Sequence, residues 1–236
     1  MIKESLGNGP MGVAFDAVGT LIGPDPPVAE AYAEAASRQG VVLDRAVIEA
    51  RFHQSFRAAE VDEARGPLAT DEPTERRRWR RIVANVLPEV PDSARAFEEL
   101  WTHFGRPGAW RCFPDVGPAV EALRRRGVPA RIASNFDGRL RAVVRGLPDL
   151  AGLSEAPVIS SEVGYRKPHP GFFRAVCAAL ALPPERIVSV GDDEVNDVLG
   201  AERAGLRGLL IDRRGRRAGA VASLAGLAEW AARGWP

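Results

Sequence analysis

The feature that most restricts the fold is a rhythm in the second half of the chain. From Cys112 on, the short apolar runs "VPARIAS", "APVIS", "RIVSV" and "LRGLLI" alternate with helical or turn segments. Runs of this length suit buried strands, and a helix between two strands returns the chain to the end where the first strand began, which asks for parallel pairing. The resulting fold class is α/β, a Rossmann-like parallel sheet core with helices on both faces. Helices are predicted near 116–126, 139–145, 171–180, 197–204 and 221–232. One further strand, Val13 to Phe15, stands apart from the others but belongs to the same sheet on this reading.

What separates that strand from the rest is helical throughout. Between 27 and 105 four apolar stripes recur at three- and four-residue spacing: Val28, Ala31, Tyr32, Ala35; Val47, Ile48, Phe52, Phe56; Trp79, Ile82, Val83, Val86; Phe97, Leu100, Trp101, Phe104. Each helix has one face to hide, and four such faces can cover one another as a small bundle. Asp44 and Ser93 are the predicted N-caps, Gly40 and Gly105 the predicted stops. The expected organisation is an α/β core over 1–22 and 110–236 with a four-helix cap inserted at 23–109.

Composition narrows the partners. The chain has 236 residues and a formal net charge of +1, so no global field draws it to nucleic acid or an anionic membrane. Two cysteines, Cys112 and Cys177, have no metal-ligand spacing; they read as small apolar residues in a reducing cytoplasm. No run of eighteen apolar residues occurs, and the N-terminal residues lack the apolar stretch of a signal peptide. Gly7, Gly9 and Gly12 match G-x-G-x-x-G but precede the first strand, so they read as a flexible leader rather than a dinucleotide site. The run "RRRWRR", Arg76 to Arg81, reads as a solvated helix face, with Trp79 turned inward beside Ile82 and Val83. His53, His103 and His169 are too scattered for a metal cluster. The sequence says nothing of oligomeric state.

In open parallel sheets the ligand crevice lies beyond the carboxyl ends of the strands. Asp16 ends the first strand, Ser134 and Asn135 end the second, Lys167 follows the third, and Asp192 and Asp193 end the fourth. Only Lys3 and Lys167 are lysines in this chain, which makes Lys167 conspicuous. Several carboxylates around one lysine repel one another, with about 4 kcal/mol for a like-charge pair at about 4 Å and an effective dielectric near 20. A cation is required, and oxygen ligands suit Mg²⁺.

With "FDAVGTL", "ASN", "YRKPHP" and "VGDDEVND" in this order, the chain resembles the haloacid dehalogenase superfamily, in the branch with a helical cap inserted after the first strand. The resemblance implies a hydrolase of the phosphatase kind, in which Asp16 attacks phosphorus to give an aspartyl-phosphate on a small phosphorylated metabolite. It implies Mg²⁺ held by Asp16, the backbone carbonyl of Val18 and Asp192. Ser134, Asn135 and Thr20 would bind the phosphate, Lys167 would offset charge shared by nucleophile and phosphate, and Asp197 would orient the site. Asp193 would be a close neighbour or a solvated loop acid.

The departure from the family pattern is Val18, where its phosphatases carry a second aspartate that protonates the leaving oxygen and then activates water. Such assistance contributes roughly 10²- to 10⁴-fold. Three outcomes are open: a Mg²⁺-dependent phosphohydrolase that is slow, or is restricted to leaving groups that need little protonation, or borrows a proton donor from the cap or substrate; a 2-haloacid dehalogenase-type hydrolase working on carbon; or a catalytically degenerate phosphate-binding protein. A phosphonoacetaldehyde-hydrolase chemistry needs a cap lysine, and 27–105 contains none.

Overall fold

A computed structural model of the chain describes residues 12–227 and 230. Of the expected leader, Gly7 and Gly9 lie outside the described residues, whereas Gly12 is no part of a leader: it is the buried first residue of the first strand. Five strands form one sheet in the order β5-β4-β1-β6-β7, where β1 is Gly12–Phe15, β4 Ala130–Ser134, β5 Val158–Ile159, β6 Ile187–Gly191 and β7 Arg207–Leu210. Every pairing is parallel, with Phe15 opposite both Ile132 and Val190. As the sequence predicted, the isolated strand joins this sheet, and it takes the centre. All four residues of β1 are buried, as a central strand covered on both faces requires.

The alternation along β1 sorts its side chains between two cores. Val13 and Phe15 pack on one face with Val120 and Leu123 of α5 (Val116–Arg125), while Ala14 faces the other side with Phe172, Phe173 and Val176 of α8 (Pro170–Leu180). Two shorter helices, α6 (Leu140–Arg145) and α7 (Ser160–Val163), fill the crossovers.

The helical segment forms α1 (Val28–Ser37), α2 (Arg45–Ala64), α3 (Glu72–Val86) and α4 (Ser93–His103), which share a separate core built on Tyr32, Ile48, Ile82, Val86 and Phe97. Asp44 caps α2, accepting from Ala46 N at 2.7 Å. At α4 the cap is Asp92 rather than Ser93, accepting from Arg95 N at 2.8 Å; the carboxylate one residue earlier reaches the free amide, and Ser93 is already helical. Val47 is 42% exposed, so the stripe of α2 turns slightly further than its spacing suggests.

Three other differences have physical reasons. The cap is joined to the core through an antiparallel ribbon of β2 (Ile22–Pro24) and β3 (Trp110–Cys112), two strands too short to show alternation. The helix expected over 197–204 begins earlier as a π-helical turn, Glu194–Leu199, and ends as α9, Gly200–Arg203. The helix expected from 221 is absent at its start: Val221 pairs in a bridge with Ile211, and helical geometry appears only at Leu227. No helix among the described residues is long and apolar enough to cross a membrane.

Candidate active site

From β1 the sheet order runs outward to β4 and β5 on one side and to β6 and β7 on the other. The crossovers therefore reverse between β1 and β6, the kind of point at which such sheets leave a crevice. Asp16 follows β1 and Asp192 follows β6, so this reversal sets them side by side. Their approach depends on glycine at 19: its φ is +87°, and a Cβ there would lie 2.2 Å from Asp192 Oδ2.

Lys167 stands at the centre. Its Nζ donates to Asp16 Oδ1 at 2.8 Å, to Asp197 Oδ1 at 2.5 Å and to the Ala133 carbonyl at 3.0 Å, which uses all three protons. Burial on its own would lower the pKa of this amine; Asp16 and then Asp197 outweigh it, so the pKa is raised and the lysine is a fixed cation. Ser134 Oγ donates to the same Asp16 Oδ1 at 3.0 Å. Asn135 clamps the lysine loop in both directions, its Nδ2 donating to Lys167 O at 3.0 Å and its Oδ1 accepting from Lys167 N at 2.7 Å.

Asp197 is buried, and its Oδ2 accepts from Asp193 N at 3.1 Å. Gly191 leaves room for it, since a Cβ there would fall 2.0 Å from Asp197 Oδ2. The π-helical turn is what points Asp197 back at the sheet, and Asp193 caps that turn, its Oδ1 accepting from Val195 N and Asn196 N, both at 2.9 Å. Asp193 is thus a cap as well as a lining residue of the crevice.

Asp192 differs from its neighbours in having no basic partner among the described residues. Solvent reaches it through the crevice, yet protein crowds it: burial first, then Asp16 and Asp197, raise its carboxyl to about 7. Asp197 is raised as well, by burial above all, with Lys167 opposing. Carboxylate oxygens of Asp16, Asp192 and Asp197 lie within 4.8 Å of one another. This donor set is all oxygen and carries more negative charge than Lys167 offsets, so it fits a hard divalent cation. Of the three, Asp197 is already engaged by Lys167 and Asp193, which leaves Asp16 and Asp192 freer to bind one.

The crevice opens into a cavity of about 430 Å³ between core and cap, lined on the core side by Asp16, Val18, Ser134, Asn135, Lys167, Asp192, Asp193 and Asp197. Thr20 is not brought to it. That residue is fully buried, its carbonyl accepts from Arg213 Nη2 at 2.5 Å, and its Oγ1 has no hydrogen-bond partner among the described residues.

Sequence reasoning missed the cap side of the site. Arg78, assigned to a solvated face, is 6% exposed: its Nε donates to Glu63 Oε1 at 2.5 Å and its guanidinium lies over Phe56. Arg166, next to Lys167, joins the same cluster, its Nε 3.3 Å from Glu63 Oε2 and its Nη1 paired with Glu75, which also accepts from Thr70 Oγ1 at 2.6 Å. Arg139 is held bidentately by buried Asp137 at 2.7 and 2.8 Å, donates to Trp101 O at 2.7 Å and stacks on the Trp101 ring. Glu72 crosses from α3 to the core, accepting from Gly138 N at 2.8 Å and Ser161 Oγ at 2.5 Å. The one available signal was the crowding of arginines and aromatics in a single segment.

The comparisons agree with this site. A family model described as haloacid dehalogenase-like hydrolase matches residues 10–205. Haloacid dehalogenase-like hydrolase domain-containing protein 3 of Mus musculus is 30% identical over 207 residues, 84% of this chain and 80% of that one. Phosphoserine phosphatase of Thermus thermophilus is 32% identical over 146 residues, 56% of this chain and 54% of its own. Among solved structures, a dehalogenase with an intermediate complex superimposes with a TM-score of 0.73 over 95% of this chain and 97% of that one; at 19% identity the likeness speaks for fold alone. The chain belongs to the haloacid dehalogenase-like hydrolases.

Proposed function

We propose that this hydrolase is a Mg²⁺-dependent phosphohydrolase of the cytoplasm, acting on a small phosphorylated metabolite, with a helical cap spanning 23–109. The observation that carries the reading is Asp192, a carboxyl with no ion-pair partner among the described residues, set beside Asp16 and within reach of Asp197. A dehalogenating site has no use for that surplus of negative charge, whereas a bound phosphate and cation do.

On this reading Asp16, the carbonyl of Val18 and Asp192 would hold Mg²⁺, which supplies charge neutralisation for the transferring phosphoryl group. The remaining steps belong to the chain. Two donors, Ser134 Oγ and Lys167 Nζ, hold Asp16 Oδ1, and Oδ2 is the oxygen they leave free. A carboxylate oxygen of Asp16 forms a bond to phosphorus while the bond to the leaving oxygen breaks, and water then cleaves the aspartyl-phosphate. With phosphate bound, Ser134 would turn its one proton from Asp16 Oδ1 to a phosphoryl oxygen beside the backbone N–H of Asn135, while Asp197 keeps Lys167 oriented.

Val18 offers no proton, so the leaving oxygen departs as the anion unless the cap or the substrate donates. Leaving groups of low basicity, such as aryl or acyl phosphates, are therefore the expected substrates. The first test is hydrolysis of p-nitrophenyl phosphate with Mg²⁺ and with EDTA. Turnover that requires Mg²⁺ and falls by roughly 10³-fold or more in Asp16→Asn supports the reading. Equal rates for wild type and variant would overturn it.

Val18 and the apolar cap wall favour a second reading, attack of Asp16 on carbon with loss of halide. There a C–O ester bond forms as the carbon–halogen bond breaks and halide leaves unprotonated. Chloride release from 2-chloropropionate that survives EDTA is the result that would put this reading first.

A further inference from the structure

The cap side of the cavity is a wall of rings. Among the described residues nine Phe, Tyr and Trp side chains line this one space, including Phe52, Phe56, Trp79, Trp101 and Phe104. A core made of aromatics would close on itself, as Phe172 and Phe173 do behind the sheet. Here the rings instead border about 430 Å³ of open space, a volume suited to a small organic ligand. Phe52 stacks on Phe56 with ring planes 23° apart, and Phe56 in turn meets Trp79, so part of the wall is a continuous surface of ring carbon.

The polar groups on that wall are few, and their states are specific. His53 lies at the rim with 63% of its side chain exposed. Arg139 is held by Asp137, the Trp101 carbonyl and the Trp101 ring. Arg166 is occupied by Glu63 and Glu75. Arg78 is different: it is more than nine-tenths buried, lines the cavity, and its Nη2 has no hydrogen-bond partner among the described residues. A guanidinium nitrogen buried in that state lacks one acceptor. Glu60 and Asp193 line the same cavity, so a second dianionic group near Arg78 would meet two carboxylates, whereas a single carbonyl or carboxylate oxygen would not be opposed so strongly.

We infer that the cavity receives the leaving group of a phosphate ester whose body is an aromatic or similarly flat apolar ring system, bearing one carbonyl or carboxylate oxygen for Arg78. This rests on the phosphohydrolase reading and adds the substrate class to it. Sugar and glycerol phosphates fit poorly, because their hydroxyl groups would give up water for ring faces. The same class answers the valine at position 18, since a ring-borne oxygen leaves readily as the anion.

The test compares phenyl phosphate with 2-naphthyl phosphate, whose leaving groups are similar in acidity but differ by one buried ring, and both with glycerol phosphate and glucose 6-phosphate. The expected result is a kcat/KM for the naphthyl ester about tenfold or more above the phenyl ester, carried mainly by KM. A carboxylate on the distal naphthyl ring should add about tenfold again in wild type and nothing in Arg78→Gln. Binding is read separately in Asp16→Asn by quenching of tryptophan fluorescence, because Trp79, Trp101 and Trp110 line the cavity. Mg²⁺-dependent turnover with the sugar or glycerol ester preferred would overturn the inference and leave the phosphohydrolase standing. Naphthyl binding without turnover of any ester would sink the phosphohydrolase and keep the aromatic site. Should Arg78→Gln fail to fold, the wild-type ring preference and the quenching still decide.

Discussion

The two walls of the cavity handle charge in opposite ways. On the core wall Asp16, Asp192 and Asp197 meet a single cation among the described residues, Lys167, and the carboxyls of Asp192 and Asp197 are raised by burial above all, with their acidic neighbours adding to it. On the cap wall Glu63 and Glu75 meet Arg78 of the cap and Arg166 of the core within one buried cluster, so formal charges there cancel. On the proposed function, a wall in surplus takes up a cation and an anion together. A balanced one spends its charge on joining cap to core and leaves the rest of its surface to rings.

The sharpest way to break that contrast is to remove one cation from each wall. Lys167→Met leaves buried Asp197 without its counter-charge and is expected to cost about 3–5 kcal/mol of stability. Arg78→Met is expected to cost less, because Glu63 keeps Arg166 at 3.3 Å. Urea unfolding of the two variants measures both, and equal losses would mean that the walls are not organised differently.

Cation binding sharpens it next. With Mg²⁺ at about a hundred times its Kd, the folded state should gain about 2.7 kcal/mol. Asp192→Asn should lose most of that gain, while Glu75→Gln on the cap wall should keep it. A melting curve unmoved by Mg²⁺ in the wild type would remove the reason for the surplus.

Val18→Asp alters the core wall where the missing acid would stand. Turnover of alkyl phosphates is expected to rise by about 10- to 100-fold, part of the range that acid–base assistance supplies. Aryl phosphates should gain little, because their leaving oxygen needs less help. A uniform loss on both classes, with the fold intact by circular dichroism, would show that the added carboxylate only worsens the crowding around Asp192.

The core wall was legible in the sequence and the cap wall was not, for the same reason that they differ. Asp16, Ser134, Lys167 and Asp192 each follow a short apolar run, and a parallel sheet brings such positions to one rim whatever the details of packing. Arg78 had no such rule. Its place on α3 allowed its long side chain to lie in solvent or across Phe56, and the choice rests on Glu63, on another helix, and Arg166, beyond the cap altogether. Thr20 shows the limit on the core side: it sits in the motif with Asp16, yet the turn that frees Gly19 for Asp192 sends the threonine side chain inward. The β2–β3 ribbon escaped notice because three residues carry no period, and the π-helical turn because its aspartates also suit an ordinary helix start.

The smallest expected effect lies between the walls, at Glu60. Burial and then Asp193 raise its carboxyl above the ordinary value, while Arg78 and Arg166 pull it down and Glu63 pushes it up. A folded-state pKa above the unfolded one means that the native protein holds this proton more tightly. Stability linked to it is fully present below the unfolded pKa and is lost as pH rises through the folded value. Glu60→Gln should therefore melt with the wild type near pH 3 and above it near pH 8, by roughly 1–2 °C, because solvent reaches this carboxyl and screens it. If the variant melts lower than the wild type at pH 8, the attraction of Arg78 and Arg166 outweighs burial, Glu60 counts with the balanced cluster, and the line between the two walls moves to the Asp193 side of the cavity.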